Sequence, residues 1–153
     1  EQATRDPLTG LHNRRYLSET LERELGRASR EKYPVGLGMF DIDNFKEIND
    51  TYGHGAGDRI LQVIAAELRA QTRLGDMVCR YGGDEFLVVM PETTAEQAEN
   101  IMSRLQENAD QLAIKFSYGI STAAAEPNTT LHNPMEPADP PTYAQNRRRK
   151  QHL

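Results

Sequence analysis

The sequence holds a single cysteine, Cys79, and no tryptophan among its 153 residues. One cysteine excludes an internal disulfide and a cysteine-rich zinc site, and its place within an apolar run predicts a buried, inert thiol in a reducing compartment. No apolar stretch reaches the roughly 20 residues that a membrane helix needs. A basic and apolar leader is also lacking, so the domain is expected to work in the cytoplasm, with any sensory or membrane-anchoring segments lying outside this chain. Basic residues are in the minority, 18 Lys and Arg against 23 Asp and Glu, giving a net charge of −5. That balance argues against a nucleic-acid polymer as partner while leaving metal-bridged mononucleotides open. With 37% hydrophobic residues, the chain has enough apolar material for one globular domain spanning residues 1–153.

What the chain does have is concentrated in a few short segments. Arg80-Tyr81-Gly82-Gly83-Asp84-Glu85-Phe86 places two glycines between apolar runs, the pattern of a hairpin whose glycines accept positive φ without steric cost. Its tip carries two acids, Asp84 and Glu85. A second apolar run, Val35 to Phe40, delivers Asp41 and Asp43 at its carboxyl end, followed by Phe45, Lys46, Asn49 and the glycine-rich Gly53-His54-Gly55-Ala56-Gly57-Asp58. Hard oxygen ligands beside a lysine and a segment of close backbone approach suit a metal-bound nucleotide. A third segment, Asp6-Pro7-Leu8-Thr9-Gly10-Leu11-His12-Asn13-Arg14-Arg15, reads as a turn feeding a helix capped by Asn13, with Leu17, Leu21, Leu25 and Ala28 on one face.

These three segments, in this order, resemble the GGDEF family of diguanylate cyclases, which make cyclic di-GMP from two GTP. The clear resemblance runs from about residue 6 to residue 121. It implies an α+β fold, with a five-stranded, mostly antiparallel sheet flanked by helices, similar to nucleotidyl cyclases and polymerase palms. It also implies Mg²⁺, with Mn²⁺ as a substitute, held by Asp41, Asp84 and the carbonyl of Ile42. Asp84 is further expected to assist deprotonation of the attacking hydroxyl, with Glu85 as a weaker catalytic candidate. Lys46 is expected to steady the triphosphate beside the amino end of a helix starting near Asn44, a position whose backbone N–H groups and dipole favour anions. Asn49 and Asp58 match the family's guanine readers, with Phe45 and His54 beside them. His54 could equally pack the loop, and Asp43 could be the cap of the helix at Asn44.

Arg73-Leu74-Gly75-Asp76 matches the family's inhibitory product site, with Arg80 as a further member, so feedback by cyclic di-GMP is expected. A homodimer follows from stoichiometry, since one half-site cannot align two substrates. The chain departs from the family beyond Ala123, where five of its eight prolines fall. There the usual phosphate-binding lysine is Asn146, and Arg149 and Lys150 stand where glycine and arginine are usual. This divergent segment, 123–153, supports the alternative of a GTP or cyclic di-GMP receptor without turnover. The coarse pattern elsewhere predicts helices over 13–31, 44–50, 57–72 and 95–112 and strands over 34–41, on both sides of the hairpin, and over 114–120.

Overall fold

The computed structural model describes residues 4–123. The proline-rich segment, with Asn146, Arg149 and Lys150, lies outside the described residues. The elements run α1 (Arg14–Glu31), β1 (Val35–Ile42), α2 (Phe45–Tyr52), α3 (His54–Gln71), β2 (Met77–Arg80), β3 (Glu85–Pro91), α4 (Ala95–Gln111) and β4 (Phe116–Ala123). The strands form one sheet in the order β2-β3-β1-β4, and every pair is antiparallel.

Alternation along the strands divides the core into two layers. Phe40, Phe86, Val88, Met90, Phe116, Tyr118 and Ile120 face α3 and α4, where they meet Leu61, Ile64, Leu68, Met102 and Leu105. Val35, Leu37, Met39, Leu87 and Val89 face the other way, onto Leu17, Leu25 and Ala28 of α1. Because β1 and β3 are central and covered on both faces, their sequences are continuous apolar runs rather than alternating ones. Asn13 caps α1 as its sequence suggests, its side chain accepting from the Tyr16 N–H at 3.0 Å. Cys79 is free and fully buried, and burial, with the charge of Asp6, pushes its thiol up to about 12. Among the described residues, no helix is long and apolar enough to cross a membrane.

Two expectations need correction. The described sheet has four strands, not five. Outside β2 the amino-terminal segment contributes only isolated bridges, from His12 to Cys79 and to Arg5, because the turn through Pro7 and Gly10 (φ 76°) carries the chain away after one residue. The helix expected from residue 57 begins at His54, so Gly53, with φ 92°, is the single joint between α2 and α3.

Candidate active site

The acids meet where β1 leaves the sheet. In register, Asp41 lies opposite Glu85 on one side and Ser117 on the other. The next residue, Ile42, donates its N–H to the Asp84 carbonyl at 3.2 Å. Asp41, the Ile42 backbone, Asp84 and Glu85 therefore gather at one sheet end, although Asp41 and Asp84 are 43 positions apart along the chain. Asp43 takes a different role from either one considered for it: its carboxylate accepts from Ser117 Oγ at 2.7 Å and its N–H donates to the Lys115 carbonyl at 2.8 Å. The cap position of α2 belongs to Asn44, held in the left-handed region at φ 57°. Asparagine tolerates that conformation better than most residues.

No side-chain hydrogen bond caps the amino end of α2. Helix amino ends of this kind favour anions, and Lys46 is exposed on the first turn. Asn49 lies on the next turn, half-buried against α3, while His54 and Asp58 are exposed on α3. Phe45 packs against the main core and anchors the helix start.

The hairpin is closed by the Tyr81 and Gly82 N–H groups, which both donate to the Glu85 carbonyl, at 2.8 and 3.2 Å. Neither Gly82 nor Gly83 lies in the left-handed region, contrary to the expectation of positive φ. A Cβ on Gly82 would meet the end of the Glu85 side chain, 3.2 Å from its carboxyl carbon, a flexible group that can move aside.

Arg80 does not join Arg73 and Asp76. Its Nε and Nη2 donate to the Gly83 carbonyl at 3.2 and 2.8 Å, and its Nη1 reaches both Asp6 oxygens at 3.1 Å. Asp6 also accepts from the N–H and hydroxyl of Thr9, at 2.8 and 2.7 Å. Burial acts to raise the Asp6 pKa, yet its hydrogen bonds from Thr9 and Arg80 and the Arg80 charge hold it below the usual carboxylate range. A second link runs alongside, the Arg14 guanidinium sitting 4.5 Å from the centre of the Tyr81 ring. The amino-terminal turn thus clasps the acidic hairpin, a role missed in the sequence because Asp6 and Thr9 read there only as turn residues.

Arg73 and Asp76 do pair, at 3.1 Å, with Asp76 also accepting from the Arg73 N–H at 2.8 Å. Arg73 Nη2 donates besides to the Pro91 carbonyl and to Thr93 Oγ1, at 2.5 and 2.9 Å. All these side-chain bonds use Nη2, so the guanidinium is fixed in place while Nε and Nη1 make no hydrogen bond among the described residues.

The donor set at the sheet end is entirely hard oxygen. No group of three or more His, Cys, Asp or Glu able to hold a metal occurs among the described residues. Asp41, Asp84 and the Ile42 carbonyl are oxygen groups of the kind that suits a hard divalent cation such as Mg²⁺.

The family model for the GGDEF domain of diguanylate cyclases matches residues 3–152. This chain belongs to the GGDEF family. Among its relatives, diguanylate cyclase DgcP of Pseudomonas aeruginosa is 41% identical over 94% of this chain and 22% of its own length. The response regulator PleD of Caulobacter vibrioides is 40% identical over 84% of this chain and 31% of its own. The domain therefore spans less than a third of these curated relatives. The crystal structure of the GGDEF domain of DgcB from Caulobacter crescentus, in complex with c-di-GMP, superposes with a TM-score of 0.85 at 29% identity, covering 95% of this chain and 88% of that one. The α+β architecture is thus that of the GGDEF fold.

Proposed function

We propose that this GGDEF domain condenses two GTP into cyclic di-GMP, releasing two pyrophosphates. The observation that carries this reading is the register that sets Asp41 against Glu85 and Ile42 against Asp84, beside the uncapped start of α2. In each of two steps, the 3′-oxygen of one GTP forms a bond to the α-phosphorus of the other. The bridging α–β bond breaks in line, pyrophosphate leaves, and the hydroxyl proton is lost. Positioning and charge stabilisation supply most of the acceleration in such phosphoryl transfers.

Asp41, Asp84 and the Ile42 carbonyl would hold Mg²⁺. When bound, the ion neutralises triphosphate charge and lowers the pKa of the attacking hydroxyl. The α2 amino end and Lys46 receive the triphosphate and the charge that develops on the leaving group. Asp84 stands at the hairpin tip to accept the hydroxyl proton, with Glu85 adding negative charge beside it. Asn49 and Asp58 supply an amide and a carboxylate for the guanine edge, and adenine leaves them unmatched at a cost of about 1 to 3 kcal/mol. His54 and Phe45 border the same site. Arg73 and Asp76 take cyclic di-GMP as an inhibitor, and a homodimer brings two half-sites together.

The test is chromatography of the products after incubation with GTP and Mg²⁺. Cyclic di-GMP and pyrophosphate in a 1:2 ratio are expected. Tight binding of GTP or cyclic di-GMP with no turnover at any protein concentration would instead make the domain a receptor.

A further inference from the structure

We infer that Gly57 is a positioning residue for Asn49, fixing the orientation in which its carboxamide meets the substrate's base. The inference rests on the assignment of Asn49 as a base-reading residue. Asn49 Oδ1 is buried and has no hydrogen-bond partner among the described residues. Leaving an acceptor in that state is costly, and it persists only where the surroundings over-determine the side chain. One part of those surroundings is a residue on the facing helix. Gly57 is buried within α3, and a Cβ built on it would sit far inside van der Waals contact of Asn49 Oδ1, 2.9 Å from Asn49 Cγ and 3.1 Å from Phe45 Cζ.

The local sequence bears this out. Gly57 has no unusual φ, so its backbone conformation does not call for glycine. Glycine inside a helix is a poorer choice than alanine, so its presence points to the space a methyl group would take. Oδ1 is the amide atom turned inward against Gly57, which leaves Nδ2 as the atom proposed to meet the base. The neighbour of Gly57, Asp58, is exposed and presents acceptors. An amide donor and a carboxylate acceptor together complement a base edge that carries both an acceptor and N–H groups, as guanine does. Gly57 thereby helps to set base selectivity without touching the ligand.

The experiment is a two-by-two set: parent, Gly57→Ala, Asn49→Ala and the double variant. GTP affinity, steady-state kinetics and thermal unfolding are measured for each. Gly57→Ala is expected to raise KM for GTP by on the order of tenfold with kcat nearly kept, as loss of uniform binding does, and to lower Tm. In the Asn49→Ala background the same change is expected to leave KM where Asn49→Ala put it and to raise Tm, because the hard collision with Asn49 is gone, the remaining contact at 3.1 Å is with the end of the Phe45 ring, and the helix preference of alanine remains. An equal fall in Tm in both backgrounds would overturn the inference and make Gly57 a packing residue against Phe45. So would parental KM in Gly57→Ala. If Asn49→Ala leaves GTP affinity unchanged, the base-reading assignment fails instead, while the reversal of the Tm effect still reports whether Gly57 orients Asn49.

Discussion

At the scale of single residues, Asp84 and Arg73 carry opposite expectations. The Asp84 backbone is pinned by Ile42 and its side chain stands at the hairpin tip, so Asp84→Asn should leave the fold intact. Activity should fall by about 3 kcal/mol or more in transition-state stabilisation, roughly a hundredfold at least. Near-parental turnover of this variant with Mg²⁺ would rule out the two-carboxylate site. Arg73→Ala should weaken cyclic di-GMP binding by about 1 to 3 kcal/mol, the range of an arginine contact to a guanine edge, and relieve feedback by roughly tenfold to a hundredfold. Initial rates should barely change. The network on Nη2 adds a refinement: a two-pronged hold on guanine would have to displace one of its bonds to Asp76, Pro91 or Thr93. Calorimetry that finds parental affinity for cyclic di-GMP in this variant would return Arg73 to the status of a brace on the loop before α4.

At the scale of elements, the clasp from the amino-terminal turn to the hairpin links folding and chemistry. Asp6 and Arg80 are each only 17% exposed, so removing one partner strands the other. Asp6→Ala should cost about 1 to 3 kcal/mol of stability and leave Arg80, which holds the Gly83 carbonyl, anchored on one side only, loosening the peptide that leads into Asp84. A fall in kcat alongside the lower urea midpoint is expected. Parental kcat in a destabilised but folded variant would show that the clasp never reaches Asp84.

How far these elements could be read in advance varied with the range of the contacts involved. Helices α1, α3 and α4 were legible from their apolar periodicity, because each has one face on the sheet. The hairpin and β1 were legible as apolar runs ending in acids, and Asp41 and Asp84 do arrive at one sheet end. The Arg80 bond to Asp6 spans 74 residues, and no local pattern encodes it. The same holds for Asp43 with Ser117, which displaced the capping role that its position suggested. The surroundings of Gly57 and Gly82 depend on side chains folded over them, from the facing helix or across the turn, so in sequence Gly57 read as close backbone approach to phosphate and Gly82 as a turn glycine accepting positive φ.

At the scale of the whole molecule, acid should weaken the fold in two stages. The His12 ring is stacked on Tyr16 at 3.7 Å, and burial, then the Arg5 charge, holds its pKa below the ordinary 6.5. As pH falls through about 6.5, the unfolded chain takes up a proton that the folded one refuses, so stability drops there. Asp6 has a lowered folded pKa, so its contribution is complete above its ordinary 3.8 and disappears as pH falls through the lower folded value. Tm should be flat above about pH 7, then decline, then decline again below about pH 4. His12→Phe keeps a ring on Tyr16 and should abolish the first decline, and an unchanged profile would exclude His12 as its source.

The proposed reaction sets the remaining condition, because the chain carries one Asp41, one hairpin tip and one α2 amino end, whereas that reaction consumes two GTP. In the proposed reaction each protomer would hold one substrate and present its α-phosphorus, and the attacking 3′-hydroxyl would come from a nucleotide held elsewhere. A second copy, related so that the two hairpins face each other, satisfies both steps by symmetry. Specific activity should therefore rise in proportion to protein concentration in the dilute regime and level off as dimers fill, with light scattering showing the mass double over the same range. The net charge of −5 opposes close approach, so added salt should shift that rise to lower protein concentration. A constant specific activity from a species that scatters as a monomer would mean that one copy aligns both substrates, and the facing half-sites would have to be abandoned.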